Sequence, residues 1–88
     1  MSKSKGLSPS EHVALGRLLK RAIRDLQDAA RLARVYGRLS DELFDAADGL
    51  MRQRGWLERR LVEAVGADAM IEGVHRRDVY FGIEVEDA

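Results

Sequence analysis

The chain of 88 residues contains no cysteine, no threonine and no asparagine, and it has a single proline. Without cysteine there is no disulfide framework, no thiolate metal site and no thiol nucleophile. Threonine and asparagine favour strands, turns and caps, and their absence leaves a composition led by the helix formers Leu, Ala, Arg and Glu. Aromatic residues are 6% of the chain and do not interleave with the basic ones as stacking platforms for nucleic-acid bases would. No uncharged apolar run approaches the roughly 18 residues needed to cross a bilayer. The start, Met1-Ser2-Lys3-Ser4-Lys5-Gly6, leads into no apolar segment of the signal-peptide kind, so a cytoplasmic location is expected. Serines occur only at 2, 4, 8, 10 and 40, and no phosphate-binding glycine loop or Gly-x-Ser-x-Gly motif is present. No nucleophile–base pair can be assembled, which argues against an enzyme, and no cofactor is implied.

What is present is charge, unevenly placed. Fifteen basic and fifteen acidic residues cancel overall, but residues 1–39 hold nine basic against three acidic and residues 40–88 hold six against twelve. A nucleic-acid binder usually shows an uncompensated basic face. Here each half has its complement in the other, so either the halves pair within one chain or copies pair head to tail.

Residues 1–7 read as a disordered basic arm, and residues 8–88 as one domain. Ser8-Pro9-Ser10-Glu11 is a capping box with proline in the first helical position, and it predicts a helix over 9–36. The seam of that helix is Leu15, Leu19, Ala22, Leu26, Ala29, Ala33 and Tyr36, widened into a broader stripe by Leu18, Ile23, Ala30 and Leu32, and Gly37 is placed as the left-handed residue that ends it. Ser40-Asp41-Glu42 then caps a second helix over 41–65, with Leu39 and Phe44 spaced as a hydrophobic staple. Its seam is Leu43, Ala47, Leu50, Arg54, Leu57, Leu61 and Ala64. Arg54 is out of character there unless its head snorkels outward or meets Asp25 or Asp28. Gly49 and Gly55 each cost about 1 kcal/mol relative to alanine, with a break near Gly55 as the competing pattern. Gly66 ends the helix. Two such helices joined by a short turn form an antiparallel hairpin, with Arg31 and Arg34 set against Asp45 and Glu42.

Beyond Gly66, residues 68–72 suit a short helical turn. Residues 79–85 alternate, with Val79, Phe81, Ile83 and Val85 on one side, and predict a half-buried β-strand. With no upstream strand to pair it, this strand must find a copy of itself, another protein, or the surface of the helices. The fold class is therefore mostly α: a two-helix hairpin with a C-terminal strand, dimerising into a four-helix bundle. The seams are rich in alanine and bury little area. Leu18, Ile23, Leu32, Val35, Phe44, Met51, Trp56 and Val62 stay partly exposed in a lone hairpin.

Three groups of residues are candidates for function. The strand residues Val79, Phe81, Ile83 and Val85, with Glu84 and Glu86, fit β-augmentation of a basic partner site. Arg17, Lys20, Arg59 and Arg60 gather at the open end of the hairpin and suit phosphate contact. Glu72-x-x-His75 has the spacing of a di-metal helical motif, but lacks the further carboxylates and second pair that motif requires, so no metal site is expected. The function expected first is a non-enzymatic protein-interaction module, an adaptor, inhibitor or assembly subunit, with a homodimer or another protein as partner. The alternative is a dimeric nucleic-acid-associated regulator using the arginine cluster.

Overall fold

A computed structural model describes residues 6–81. Helix α1 spans Pro9–Leu32 and helix α2 spans Gly37–Val65. They are followed by strands β1 (Met70–Ile71) and β2 (Val74–His75) and by a short helix α3 (Arg77–Tyr80). The expected helical hairpin is present, and no helix among the described residues is long and apolar enough to cross a membrane.

The start of α1 is decided locally. The Ser8 hydroxyl accepts the Glu11 N–H at 3.1 Å, and the Glu11 carboxylate accepts the Ser8 N–H at 2.8 Å, with Pro9 in the first position. Its end differs from the prediction of Tyr36. The helix stops at Leu32, Ala33 to Tyr36 form the turn, and α2 begins at Gly37 rather than Asp41. Gly37 is the first residue of α2 and not a left-handed terminator; among the described glycines only Gly66 and Gly73 have positive φ. Ser40 is consequently inside α2, with its N–H bonded to the Tyr36 carbonyl at 3.0 Å. Its buried hydroxyl donates to the Ala30 carbonyl at 2.8 Å, so a residue expected to cap a helix ties two helices together instead. Leu39 and Phe44 both remain exposed and no staple forms. Helix α2 then continues through Gly49 and Gly55 without a break and ends at Gly66, whose φ of +93° suits glycine.

The predicted helical turn over 68–72 is a β-hairpin. Glu72 (φ +54°) and Gly73 (φ +82°) both have positive φ, the geometry of a two-residue type I′ turn. It sets Ile71 opposite Val74 and Met70 opposite His75. The β-branched residues flanking the turn favour this pairing over one more helical turn. The strand predicted over 79–85 is also revised where it can be seen. Val79 and Tyr80 belong to α3, and both are buried, whereas alternation would send them to opposite faces. His75 Nδ1 accepts the Arg77 N–H at 3.1 Å, which helps to start that helical turn. Phe81 is extended, and residues 82–85 lie outside the described residues.

The core sits at the open end of the hairpin. Val13 and Leu61 of the long helices, Ile71 of the β-hairpin and Val79 and Tyr80 of α3 form one buried cluster, flanked by Leu15, Leu19, Leu57, Val65, Val74 and Phe81. The buried residues of α1 are His12, Val13, Gly16, Ile23 and Ala30; Ile23 and Ala30 belong to the broader predicted stripe, and the buried line is rotated by one residue from the seam itself, whose leucines and alanines are half-buried. Ile23 is buried rather than partly exposed, and Tyr36 is exposed. On α2 the predicted seam holds, except that Val65 replaces Ala64 at its end. Arg54 meets neither Asp25 nor Asp28. Its guanidinium lies 4.7 Å from the centre of the Phe81 ring, and its Nε is buried without a hydrogen-bond partner among the described residues.

The rotation of the α1 seam follows from Gly16. A Cβ there would stand 2.9 Å from the Val79 carbonyl carbon and closer still to its oxygen, so α3 reaches α1 only because this position has no side chain. In a free helix, Gly16→Ala would gain about 1 kcal/mol from propensity. In this chain we expect the sign to reverse, with a net loss of roughly 1–3 kcal/mol from overpacking. Urea unfolding measures that loss, and faster amide exchange at Arg77–Tyr80 places it.

Candidate functional site

Two regions of the molecule carry features beyond ordinary packing: the open end, where the C-terminal elements close the core, and the tip, where the two helices turn.

At the open end Tyr80 contacts the beginning of α1. Its hydroxyl lies 2.5 Å from His12 Nδ1, and the two rings meet edge to face, 5.7 Å apart and at 87°. Both side chains are almost fully buried. Burial lowers the pKa of His12 below its ordinary 6.5, with the charge of Glu11 opposing, and pushes that of Tyr80 up to about 12. Three further links hold the C-terminal elements in place. The Lys20 ammonium donates to the Asp78 carbonyl at 2.5 Å. Arg76 donates from Nε to the Ala67 carbonyl at 2.9 Å and from its guanidinium to the Glu58 carboxylate, in a largely buried ion pair. The Ser10 hydroxyl donates to Glu72.

Beside the His12–Tyr80 pair is a cleft of about 410 Å³, lined by Leu7, His12, Trp56, Leu57, Arg60, Glu63 and Ala64 together with the Gly6 backbone. The Arg60 guanidinium is 5.5 Å from the Trp56 ring centre and 3.9 Å from the Glu63 carboxylate.

The tip is of another character. Leu32, Val35, Tyr36 and Leu39 are all exposed within eight residues of chain, and Tyr36 and Leu39 share an open apolar hollow with Arg38 and Glu42. The arginines here pair locally: Arg31 with Asp28 at 2.8 Å, and Arg38 with Glu42 at 3.8 Å. The predicted partner of Arg31, Asp45, is not the one it takes, and Glu42 pairs with Arg38 rather than Arg34.

The residues singled out from the sequence are dispersed. Val79 lies inside the chain's own core, and Phe81 is half-buried beneath Arg54. Ile83, Glu84, Val85 and Glu86 lie outside the described residues. Arg17 and Lys20 flank a small notch beside Val74, Asp78 and Val79, whereas Arg60 lines the cleft with Trp56 and Arg59 is exposed. Glu72 and His75 take separate hydrogen bonds, from Ser10 and from Arg77. Among the described residues no group of three or more His, Cys, Asp or Glu is arranged to hold a metal ion. Sequence reasoning missed Gly16 and the His12–Tyr80 pair. The available signal was a glycine and a histidine one turn apart on the inner side of a strong helix. Comparison with protein-family models, curated proteins and solved structures finds no match to this chain.

The buried pair makes stability depend on pH in both directions. In acid, the unfolded His12 takes up a proton near 6.5 while the folded one resists. The unfolded state then binds more protons, and stability falls as pH drops below about 6.5. In base, the unfolded Tyr80 loses its proton near 10 while the folded one holds it to about 12, so stability falls again above 10. Thermal melts between pH 5 and 8 should show the acid-side drop in the wild type and a flatter profile in His12→Phe.

Proposed function

We infer that the chain is a non-enzymatic protein-interaction module that works through the tip of its hairpin, and that the partner fitting this tip is a second copy of itself. The supporting observation is the exposure of its apolar residues: Leu32 80%, Val35 76%, Tyr36 68% and Leu39 47%. Large apolar side chains clustered in this way cost free energy in water, and a contact that covers them recovers it at about 25 cal/mol per Å².

Charge supports self-association in particular. Arg34 in the turn and Arg38 in the first turn of α2 precede the acidic run of Asp41, Glu42 and Asp45 on the same helix. A two-fold axis at the tip brings the basic residues of each copy onto the acidic residues of the other. The local pair Arg38–Glu42, long and almost fully exposed, is cheap to exchange for such a contact. At the open end the chain's own β-hairpin and α3 cover the helices, so the contact is confined to the tip half. Two hairpins overlapping there present four helix ends to one another, a shorter interface than a full-length four-helix bundle.

For the nucleic-acid alternative, Arg17 and Lys20 flank one notch and Arg60 lines another cleft, an arrangement that favours the tip as the interaction surface.

Sedimentation equilibrium tests the tip. The wild type should approach twice the monomer mass as concentration rises. Tyr36→Ser with Leu39→Ser, which together remove four apolar side chains from a two-fold contact, should weaken association by roughly 100-fold or more. Helical content should be unchanged, since neither side chain is part of the core. A wild type that stays monomeric at millimolar concentration would falsify self-association and leave a different protein partner to be sought at the same surface.

A further inference from the structure

We propose that the open-end cleft is a binding site for an apolar α-amino acid, a molecule with an ammonium and a carboxylate at one end and a hydrocarbon side chain at the other. This goes beyond the tip interaction and does not depend on it, because the two sites lie at opposite ends of the hairpin.

Size comes first. The cleft's volume of about 410 Å³ is within the range of small-molecule sites and ample for a leucine-sized ligand. Its walls are apolar: Leu7 on one side and Trp56, Leu57 and Ala64 of α2 on the other. Trp56 is the single tryptophan of the chain, yet it is 54% exposed. A large ring left in water beside a concave apolar wall is the arrangement a bound hydrocarbon group completes.

Polarity comes second. The cleft has one cationic and one anionic side chain, Arg60 and Glu63, one helical turn apart and 3.9 Å from each other. Their side chains are 46% and 63% exposed, so the mutual pair contributes little and is readily replaced. Arg60 is held against the Trp56 ring, which fixes where its guanidinium stands relative to the apolar wall. A ligand with a single charge would satisfy one of these groups and crowd the other. An α-amino acid carries both charges on groups bonded to one carbon, carboxylate toward Arg60 and ammonium toward Glu63, while its side chain enters the apolar part. His12, buried at the inner wall and held by Tyr80, keeps that wall rigid.

Trp56 supplies the readout. Titration with L-leucine should give a saturable blue shift of its emission as the ring leaves water. Isocaproate, which lacks the ammonium, and isoamylamine, which lacks the carboxylate, should each bind at least tenfold more weakly. Arg60→Gln should weaken leucine binding tenfold or more, and Ala64→Phe, which fills the cleft, should abolish it. Both positions are exposed, so circular dichroism should report an unchanged fold. The proposal is overturned if leucine produces no saturable shift at millimolar concentration. It is equally overturned if the three probes bind alike, or if Arg60→Gln binds leucine as the wild type does. Tip self-association is measured separately by mass, so either result leaves the other standing.

Discussion

The close approach of Val79 to Gly16 is the constraint on which the rest of this molecule depends. Two helices rich in alanine along their contact cannot bury much apolar surface by themselves, and a domain this small has little margin. The missing side chain at Gly16 opens a notch into which the C-terminal elements settle. Val79 and Tyr80 thereby join Val13 and Leu61, and Ile71 closes the cluster from the β-hairpin. The polar links follow the same geometry. Lys20 reaches the Asp78 carbonyl, and Arg76 joins the segment after α2 to Glu58. His12 and Tyr80 satisfy one another where water does not reach.

Completion at one end leaves the other end bare. The chain's β-hairpin and α3 lie where the helices begin and finish, so among the described residues nothing of the same kind covers the turn. There the helices are held by small contacts, Ala30 and Ala47 in the seam and the Ser40–Ala30 bond. Buried area is thus unevenly distributed along a molecule about 48 Å long. The division also separates two kinds of surface: an open apolar tip, and a cleft lined by a pair of opposite charges.

Features set by a few adjacent residues were legible in the sequence. Ser8-Pro9-Ser10-Glu11 determines its own conformation through bonds three residues apart, and Gly66 stops α2 because its neighbours cannot adopt its dihedral angles. Features settled by distant contacts were not legible. Gly37 and Ser40 have the chemistry of a terminator and a cap, but the hydroxyl of Ser40 has a better use on Ala30, and α2 gains a turn. The Glu72-Gly73 turn lacks the Asn-Gly or Asp-Gly signature common to two-residue hairpins, and asparagine does not occur in this chain. The alternation after Asp78 suggested a strand, but burial of both Val79 and Tyr80 requires a helical turn. The cleft was hidden for a related reason: Leu7 and His12 are more than forty residues from Trp56 and Arg60, and only the antiparallel packing of α1 on α2 brings them together.

The partners that complete the core are separated by more than sixty positions, from His12 and Gly16 to Val79 and Tyr80. During synthesis, at about 5–20 residues per second, Val79 and Tyr80 are added roughly 2–10 seconds after α1 is finished and about 1–3 seconds after α2. Throughout that interval the nascent hairpin has an open glycine notch and an unpaired imidazole on its inner side. The core can therefore close only after Val79 and Tyr80 have been made, and a chain cut before them leaves the helices without a centre.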